Sequence, residues 1–156
     1  TTLAIGDALA VALREEPQFQ PGDYARFHPG GALGRRLLTR VRDVMHTPPL
    51  PVVAPGTPLP ETIAIMNQGR LGTAIVVADG EVMGIITDGD LRRAIARGES
   101  VFSQSCDDIM TTTPVTIDAE ERFAAAEQIM LERKINSLVV VDRQQQLCGI
   151  LQIYDL

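Results

Sequence analysis

The 156-residue sequence has few aromatic residues, no tryptophan and only two cysteines. Aromatic residues make up 4% of the chain. Aliphatic side chains must therefore fill the core, which favours an α/β protein over one that stacks nucleic-acid bases on aromatic rings. Cys106 and Cys148 form neither a CxxC pair nor a Cys/His cluster. Two isolated thiols exclude a disulfide scaffold and indicate a reducing, cytoplasmic location.

Positive charge and long apolar runs are also scarce. The net charge is −6 and the sequence pI is about 4.8. Without a basic stripe, duplex DNA or RNA is not expected as a partner, and any anionic ligand must be held by local positive groups. No apolar run approaches the roughly 20 residues that span a bilayer, and we recognise no signal peptide, so no membrane partner is expected. The absence of an initiator Met predicts a fragment of a longer protein.

The sequence does contain an internal repeat. Paired motifs recur at an offset of 64 or 65 residues, and the offset changes only before a helix and in a hairpin, where loops tolerate insertions and deletions. The pairs are Val44-Met45 and Ile109-Met110, Ile65-Met66 and Ile129-Met130, Val76-Val77 and Val140-Val141, Gly84-Ile85 and Gly149-Ile150, and Asp90-Leu91 and Asp155-Leu156.

Each copy predicts the order strand–helix–strand–strand–helix. The helix of copy one is expected to begin at Thr57 or Pro58. In copy two, Asp118 is a predicted N-cap, with Glu121 as its capping-box partner. Asp79-Gly80 predicts a tight hairpin turn. Because neither copy has enough apolar surface to be stable alone, we expect the two to pack about a pseudo-two-fold axis. The predicted strands are a small extended segment at residues 51–53, then residues 73–77 and 82–87, in copy one, and a small extended segment at residues 115–117, then residues 137–141, in copy two.

The repeat resembles the CBS domain, the module named after cystathionine β-synthase. The resemblance covers residues 41–156, and its most specific stretches are residues 84–93 and 149–156. It implies an α/β fold in which residues 41–100 form CBS domain 1 and residues 101–156 form CBS domain 2, with the last helix of domain 2 truncated. A helical linker, residues 1–40, is expected to precede the pair.

The first 40 residues carry a second resemblance. Residues 1–13 are nearly all apolar and predict a buried helix. Its partner is either a missing upstream domain or a second subunit, or else this same domain. Residues 23–38 closely resemble the junction in arabinose 5-phosphate isomerases, where a sugar isomerase (SIS) domain meets a CBS pair. The resemblance implies a parent enzyme that interconverts D-ribulose 5-phosphate and D-arabinose 5-phosphate, a step towards Kdo and lipopolysaccharide.

Thr87 and Asp90 are the main ligand-binding candidates. A Thr that ends a strand and an Asp three residues on suit the hydroxyls of a ribose, and the adjoining helix N-terminus favours a phosphate. In the CBS family this Thr-x-x-Asp pattern resembles the ribose-binding signature. The alternative is a capping box that serves only the helix, and both roles can hold together. Copy two has Gln152 in place of Thr87, so we expect the copy-one site to dominate.

Further ligand-binding candidates surround this pattern. Arg92 and Arg93 follow on the same helix, where one of them is expected to reach a phosphate or carboxylate; the alternative is a solvated helix face. His46 and Thr47 precede the first strand, and in CBS pairs such residues commonly line the cleft. Thr73 opens a strand, as Ser137 does in copy two, so it is either a ligand contact or an ordinary strand-start hydroxyl.

His28 is the one candidate for catalysis. The resemblance places a functional histidine of the isomerase family here, acting at the SIS active site; the alternative is a turn residue ahead of Pro29. Because no phosphate loop or carboxylate partner accompanies it, this chain alone is predicted to lack isomerase activity. The glycine-rich residues 30–35 lack the Lys-Ser/Thr of a P-loop and predict a hinge. No metal-ligand spacing surrounds either histidine, so we expect no metal site.

Three functions fit these residues. The first is a regulatory module that senses a nucleotide, with CMP-Kdo, the activated end product, favoured over AMP or ATP, and no other cofactor. The second is an assembly module that holds the SIS enzyme as a homodimer or higher homo-oligomer. The third is a generic energy sensor on an unrelated protein, against which the junction from Gly6 to His46 argues.

Overall fold

The computed structural model describes residues 38–98 and 100–153, which form an α/β fold built from two similar sets of elements. Residues 1–37, and with them the predicted first helix, His28 and the predicted hinge at residues 30–35, lie outside the described residues, as do residue 99 and residues 154–156, where the truncated last helix was expected. Copy one contains β1 (Val52–Val53), α1 (Leu59–Gly69), β2 (Thr73–Ala78), β3 (Glu81–Thr87) and α2 (Asp88–Ala96). Copy two contains α3 (Cys106–Ile109), β4 (Thr116–Asp118), α4 (Phe123–Arg133), β5 (Ser137–Val141) and β6 (Leu147–Gln152).

Each copy forms a three-stranded mixed sheet. In copy one β1 runs parallel to β2, and β2 runs antiparallel to β3. The second sheet repeats this arrangement with β4, β5 and β6. The β2–β3 hairpin turns at Asp79 and Gly80, which have φ values of 51° and 84°, as the Asp-Gly signal predicts. The sheets meet through an apolar cluster that includes Ile85 of copy one and Val139 of copy two.

The two copies exchange the segments that lead into them. We call residues 40–46 the first lead segment and residues 105–111 the second. Val41 of the first lead segment is buried in the core of copy two, and Cys106 of the second is buried in the core of copy one. His46 N–H donates to Ile150 O at 2.8 Å, and Thr111 N–H donates to Ile85 O at 2.9 Å. Each sheet therefore gains a partner from the other half of the sequence.

Two equivalent glycines make this exchange possible. A Cβ atom added at Gly149 would lie 2.6 Å from Met45 Sδ and 2.8 Å from His46 O. A Cβ atom added at Gly84 would lie 2.7 Å from Met110 Sδ. These separations are shorter than van der Waals contact, so each lead segment occupies the space that a side chain would take. The repeated Gly-Ile motif is therefore a packing requirement of the exchange.

Replacing Gly149 with alanine is expected to lower the free energy of unfolding by about 1–3 kcal/mol, the usual cost of overpacking. Part of the obstacle is backbone, the carbonyl of His46, which cannot move away as a flexible side chain can. Gly89→Ala is the matched control, because its Cβ would first meet the flexible Arg93 Nη1 at 3.2 Å. Urea denaturation measures both variants. Equal stability of the two would contradict the exchange.

The start of α4 differs from the sequence prediction. Asp118 was the predicted N-cap, with Glu121 as its capping-box partner. That prediction is wrong, because β4 extends through Asp118 and the helix begins only at Phe123, after Arg122. Asp118 Oδ1 instead accepts from Glu120 N–H at 2.8 Å, while Glu121 O accepts from Val41 N–H at 3.0 Å. The first lead segment thus uses backbone groups that a longer helix would need.

The cysteines serve packing. Cys106 is buried, Cys148 is half-buried, and neither forms a disulfide. Burial is the main cause that raises the pKa of each thiol, so both are protonated near neutral pH. Cys106 behaves accordingly as a small apolar residue of the first core.

Candidate functional site

A cavity of about 570 Å³ lies between the two copies. That volume is within the range of small-molecule sites. Copy one contributes the start of β2, the end of β3 and the first turns of α2. Copy two contributes the residues after its lead segment, the α4–β5 connection and the end of β6. The sequence candidates that line it are Thr73, Thr87, Asp90, Arg92 and Arg93.

Thr87 and Asp90 form the predicted capping box of α2. Asp90 Oδ2 accepts from Thr87 N–H at 2.8 Å and from Thr87 Oγ1 at 2.6 Å. Asp90 N–H lies 3.4 Å from Thr87 Oγ1, which accepts from it. Because Asp90 is 9% exposed and both residues line the cavity, the cap is held at the cavity wall. The predicted capping role is present, and it fixes the carboxylate where a ligand can meet it.

Thr73 lies opposite Thr87 in the β2–β3 register. Its side chain is 2% exposed, and Oγ1 has no hydrogen-bond partner among the described residues. A buried hydroxyl without a partner costs about 1–3 kcal/mol. Thr73 also lines the cavity, so a small rearrangement of the lining on ligand binding would give this buried hydroxyl a partner.

Charged side chains of both signs surround the cavity. Arg93 Nη2 lies 2.5 Å from Asp90 Oδ1, so this arginine is already engaged with the cap. Arg92 forms no ion pair within residues 38–98 and 100–153, and neither does Lys134 on the opposite wall. Asp88, in the first turn of α2, is the second acid of the lining. Two cations that can meet an anion thus face the cavity from different copies.

Gln152 occupies the position in copy two that Thr87 occupies in copy one. Its Nε2 donates to Leu71 O at 2.6 Å and to Ser137 Oγ at 3.3 Å. Ser137 lies opposite Gln152 in the register, as Thr73 lies opposite Thr87. The hydroxyl at the start of β5 therefore has a protein partner, whereas the hydroxyl at the start of β2 has none among the described residues. The two halves of the site are chemically unequal.

Two further sequence candidates, His46 and Thr47, lie elsewhere. His46 and Thr47 are not among the residues that line this cavity, because the first lead segment pairs with β6 of copy two instead. Sequence reasoning missed Lys134 and Asn136, which line the cavity from the α4–β5 connection. Neither carries a local motif, so only the packing of copy two against copy one identifies them.

No group of three or more His, Cys, Asp or Glu side chains that could hold a metal ion occurs in the described part of the chain. Within that same part, no helix has the length and apolar character to cross a membrane.

The comparisons with known proteins agree with this architecture. The model of the CBS domain family matches residues 41–97 and 106–156, so the chain belongs to the CBS-domain family. A CBS domain protein from Pyrobaculum aerophilum, solved in complex with AMP, is 22% identical and superimposes with a TM-score of 0.70 over 76% of this chain and 90% of its own. The predicted tandem CBS fold is confirmed.

A second solved CBS domain pair, in complex with 5′-methylthioadenosine and S-adenosyl-L-methionine, is 24% identical, with a TM-score of 0.68 over 75% of this chain and 95% of its own. Among curated proteins, the chain is similar to the arabinose 5-phosphate isomerase KdsD of Pseudomonas aeruginosa, 47% identical over 99% of this chain and 48% of that protein. The isomerase KpsF of Escherichia coli is 40% identical over 99% of this chain and 47% of its own length. The chain spans about half the length of the curated relatives it matches.

Proposed function

We propose that this chain is the regulatory, nucleotide-binding CBS module of an arabinose 5-phosphate isomerase. The observation that carries the proposal is the buried Thr73 hydroxyl, which has no partner among the described residues and belongs to a residue that lines the same cavity as the Thr87–Asp90 cap. An unsatisfied buried group beside a fixed carboxylate is the arrangement that a sugar with several hydroxyls can complete. The relatives with isomerase names support the parent enzyme.

The lining favours a ligand that combines a ribose with anionic groups. Asp90 and Thr73 can take the ribose hydroxyls. The N-terminus of α2 and Arg92 can take a phosphate, since exposed N–H groups and the helix dipole both favour an anion there. CMP-Kdo, the activated end product of the proposed pathway, adds a carboxylate, for which Lys134 on the opposite wall is the available cation. Feedback by CMP-Kdo is therefore the regulation we propose.

Adenine nucleotides are the second candidate ligand, favoured by the fold's likeness to a CBS protein solved with AMP.

The proposal assigns catalysis to a separate SIS domain, to which His28 contributes. It also expects the enzyme to be a homodimer or higher homo-oligomer in the cytoplasm. This chain alone is expected to show no isomerase activity. Allosteric regulation requires that the nucleotide bind with different affinities to two states of the enzyme. The coupling free energy between two such sites is typically about 1–3 kcal/mol.

The test is calorimetric titration of the 156-residue chain with CMP-Kdo, CMP, AMP and ATP. We expect CMP-Kdo to bind more tightly than CMP, because the second anion gains a cation partner. Lys134→Gln should remove that difference and leave CMP binding unchanged. Arg133→Gln, an adjacent cation that does not line the cavity, is the control. Binding of AMP or ATP alone would replace CMP-Kdo with an adenine nucleotide, and binding of none would favour the assembly role.

A further inference from the structure

Two polar side chains in the second half of the site, those of Ser137 and Gln152, are already hydrogen-bonded within the protein. Ser137 and Gln152 stand in copy two where Thr73 and Thr87 stand in copy one. Ser137 Oγ accepts from Gln152 Nε2 at 3.3 Å, and the same amide nitrogen donates to Leu71 O at 2.6 Å. Thr73 Oγ1, in contrast, is buried without a partner among the described residues.

The length of the glutamine side chain explains this difference. A threonine hydroxyl at the end of a strand reaches only its own helix cap, as Thr87 does with Asp90. An amide two carbons further out reaches across to Leu71, in the α1–β2 connection of copy one. Its two N–H groups supply the donors that a ribose hydroxyl would otherwise supply. A nucleotide entering here must first displace both hydrogen bonds and leave the Leu71 carbonyl without its donor.

We infer that Gln152 is an internal occupant of the copy-two half of the site, so that each chain binds one nucleotide, against Thr87 and Asp90. The inference rests on the proposed function for the identity of the ligand. Beyond that function, it predicts the number of nucleotides bound per chain and names Gln152 as the residue that determines this number. It also gives Gln152 a structural role, because its bond to Leu71 joins β6 of copy two to copy one.

The experiment counts binding events. Wild type and Gln152→Thr are titrated with CMP-Kdo and, separately, with AMP. In sequence the substitution restores a Thr-x-x-Asp pattern with Asp155. We expect one nucleotide per chain in wild type and a second, weaker event in the variant. The control is Gln146→Thr, which changes a glutamine that does not line the cavity and should still bind one nucleotide per chain. Two events in wild type, or one in Gln152→Thr, would overturn the inference.

A measurement without ligand separates this inference from the proposed function. Gln152→Ala removes one link between the copies, so its thermal midpoint is expected to fall by about 2–4 °C relative to that of Gln144→Ala, a change in an exposed glutamine of the β5–β6 turn. If wild type binds no nucleotide, the proposed function is contradicted. The thermal midpoint of Gln152→Ala still tests whether the Gln152 amide links the two copies. An unchanged midpoint in Gln152→Ala would show that the amide holds nothing in place, and the inference would fail on its own.

Discussion

Asp90→Ala is expected to weaken nucleotide binding roughly tenfold to a hundredfold, the loss of a hydrogen bond to a charged group, and to lower the free energy of unfolding by about 0.5–2 kcal/mol, the loss of a helix cap. Its carboxylate accepts from the N–H and the hydroxyl of Thr87 and pairs with Arg93. Removing it deletes the group proposed to hold the ribose and releases the start of α2. Calorimetry measures the first effect and urea denaturation the second.

The chain contains a matched control for this variant. Ser105 and Asp108 form a capping box with the same spacing at the start of α3, where Asp108 Oδ2 accepts from the N–H of Ser105 at 2.7 Å and from its hydroxyl at 3.0 Å. This second box does not line the cavity. Asp108→Ala should therefore cost stability and leave nucleotide affinity unchanged. If Asp90→Ala behaves in the same way, Thr87 and Asp90 are only a helix cap.

Thr73→Val is expected to move stability and binding in opposite directions. The substitution replaces a buried hydroxyl that has no described partner with a methyl group of similar shape. Removing the unsatisfied group should raise the free energy of unfolding of the ligand-free chain by about 1 kcal/mol. The same change deletes a proposed ligand contact, so affinity should fall roughly threefold to tenfold. Such opposition is typical of residues kept for function at the expense of stability.

Thr62→Val provides the comparison. Thr62 is also fully buried, but its hydroxyl donates to Pro58 O at 3.2 Å, and it does not line the cavity. Its replacement should lower stability and leave affinity as in wild type. A loss of stability in Thr73→Val equal to that in Thr62→Val would mean that the Thr73 hydroxyl is satisfied in the ligand-free protein, and the main support for a ligand site would be lost.

Local sequence was sufficient for most of the elements and for one wall of the site. The turn at Asp79-Gly80 and the cap of Thr87 with Asp90 depend on residues within four positions of each other, so their chemistry can be read directly. The strands follow from β-branched runs in a repeated order, and Arg92 and Arg93 reach the cavity because they share a helix with Asp90. The resemblance of the whole pattern to the CBS family then fixed the fold class.

Only the tertiary structure decided which copy each lead segment joins, and with it the rest of the site. The exchange carries His46 to β6 of copy two and shortens the start of α4, against the local signal at Asp118. The packing of copy two against copy one brings Lys134 to the cavity and Gln152 to Leu71. The His46–Ile150 and Gln152–Leu71 contacts join residues more than 80 positions apart in the sequence, where side-chain preference and spacing carry no information. The sequence by itself therefore determined the repeat and the cap, while packing between the copies determined the cavity and its asymmetry.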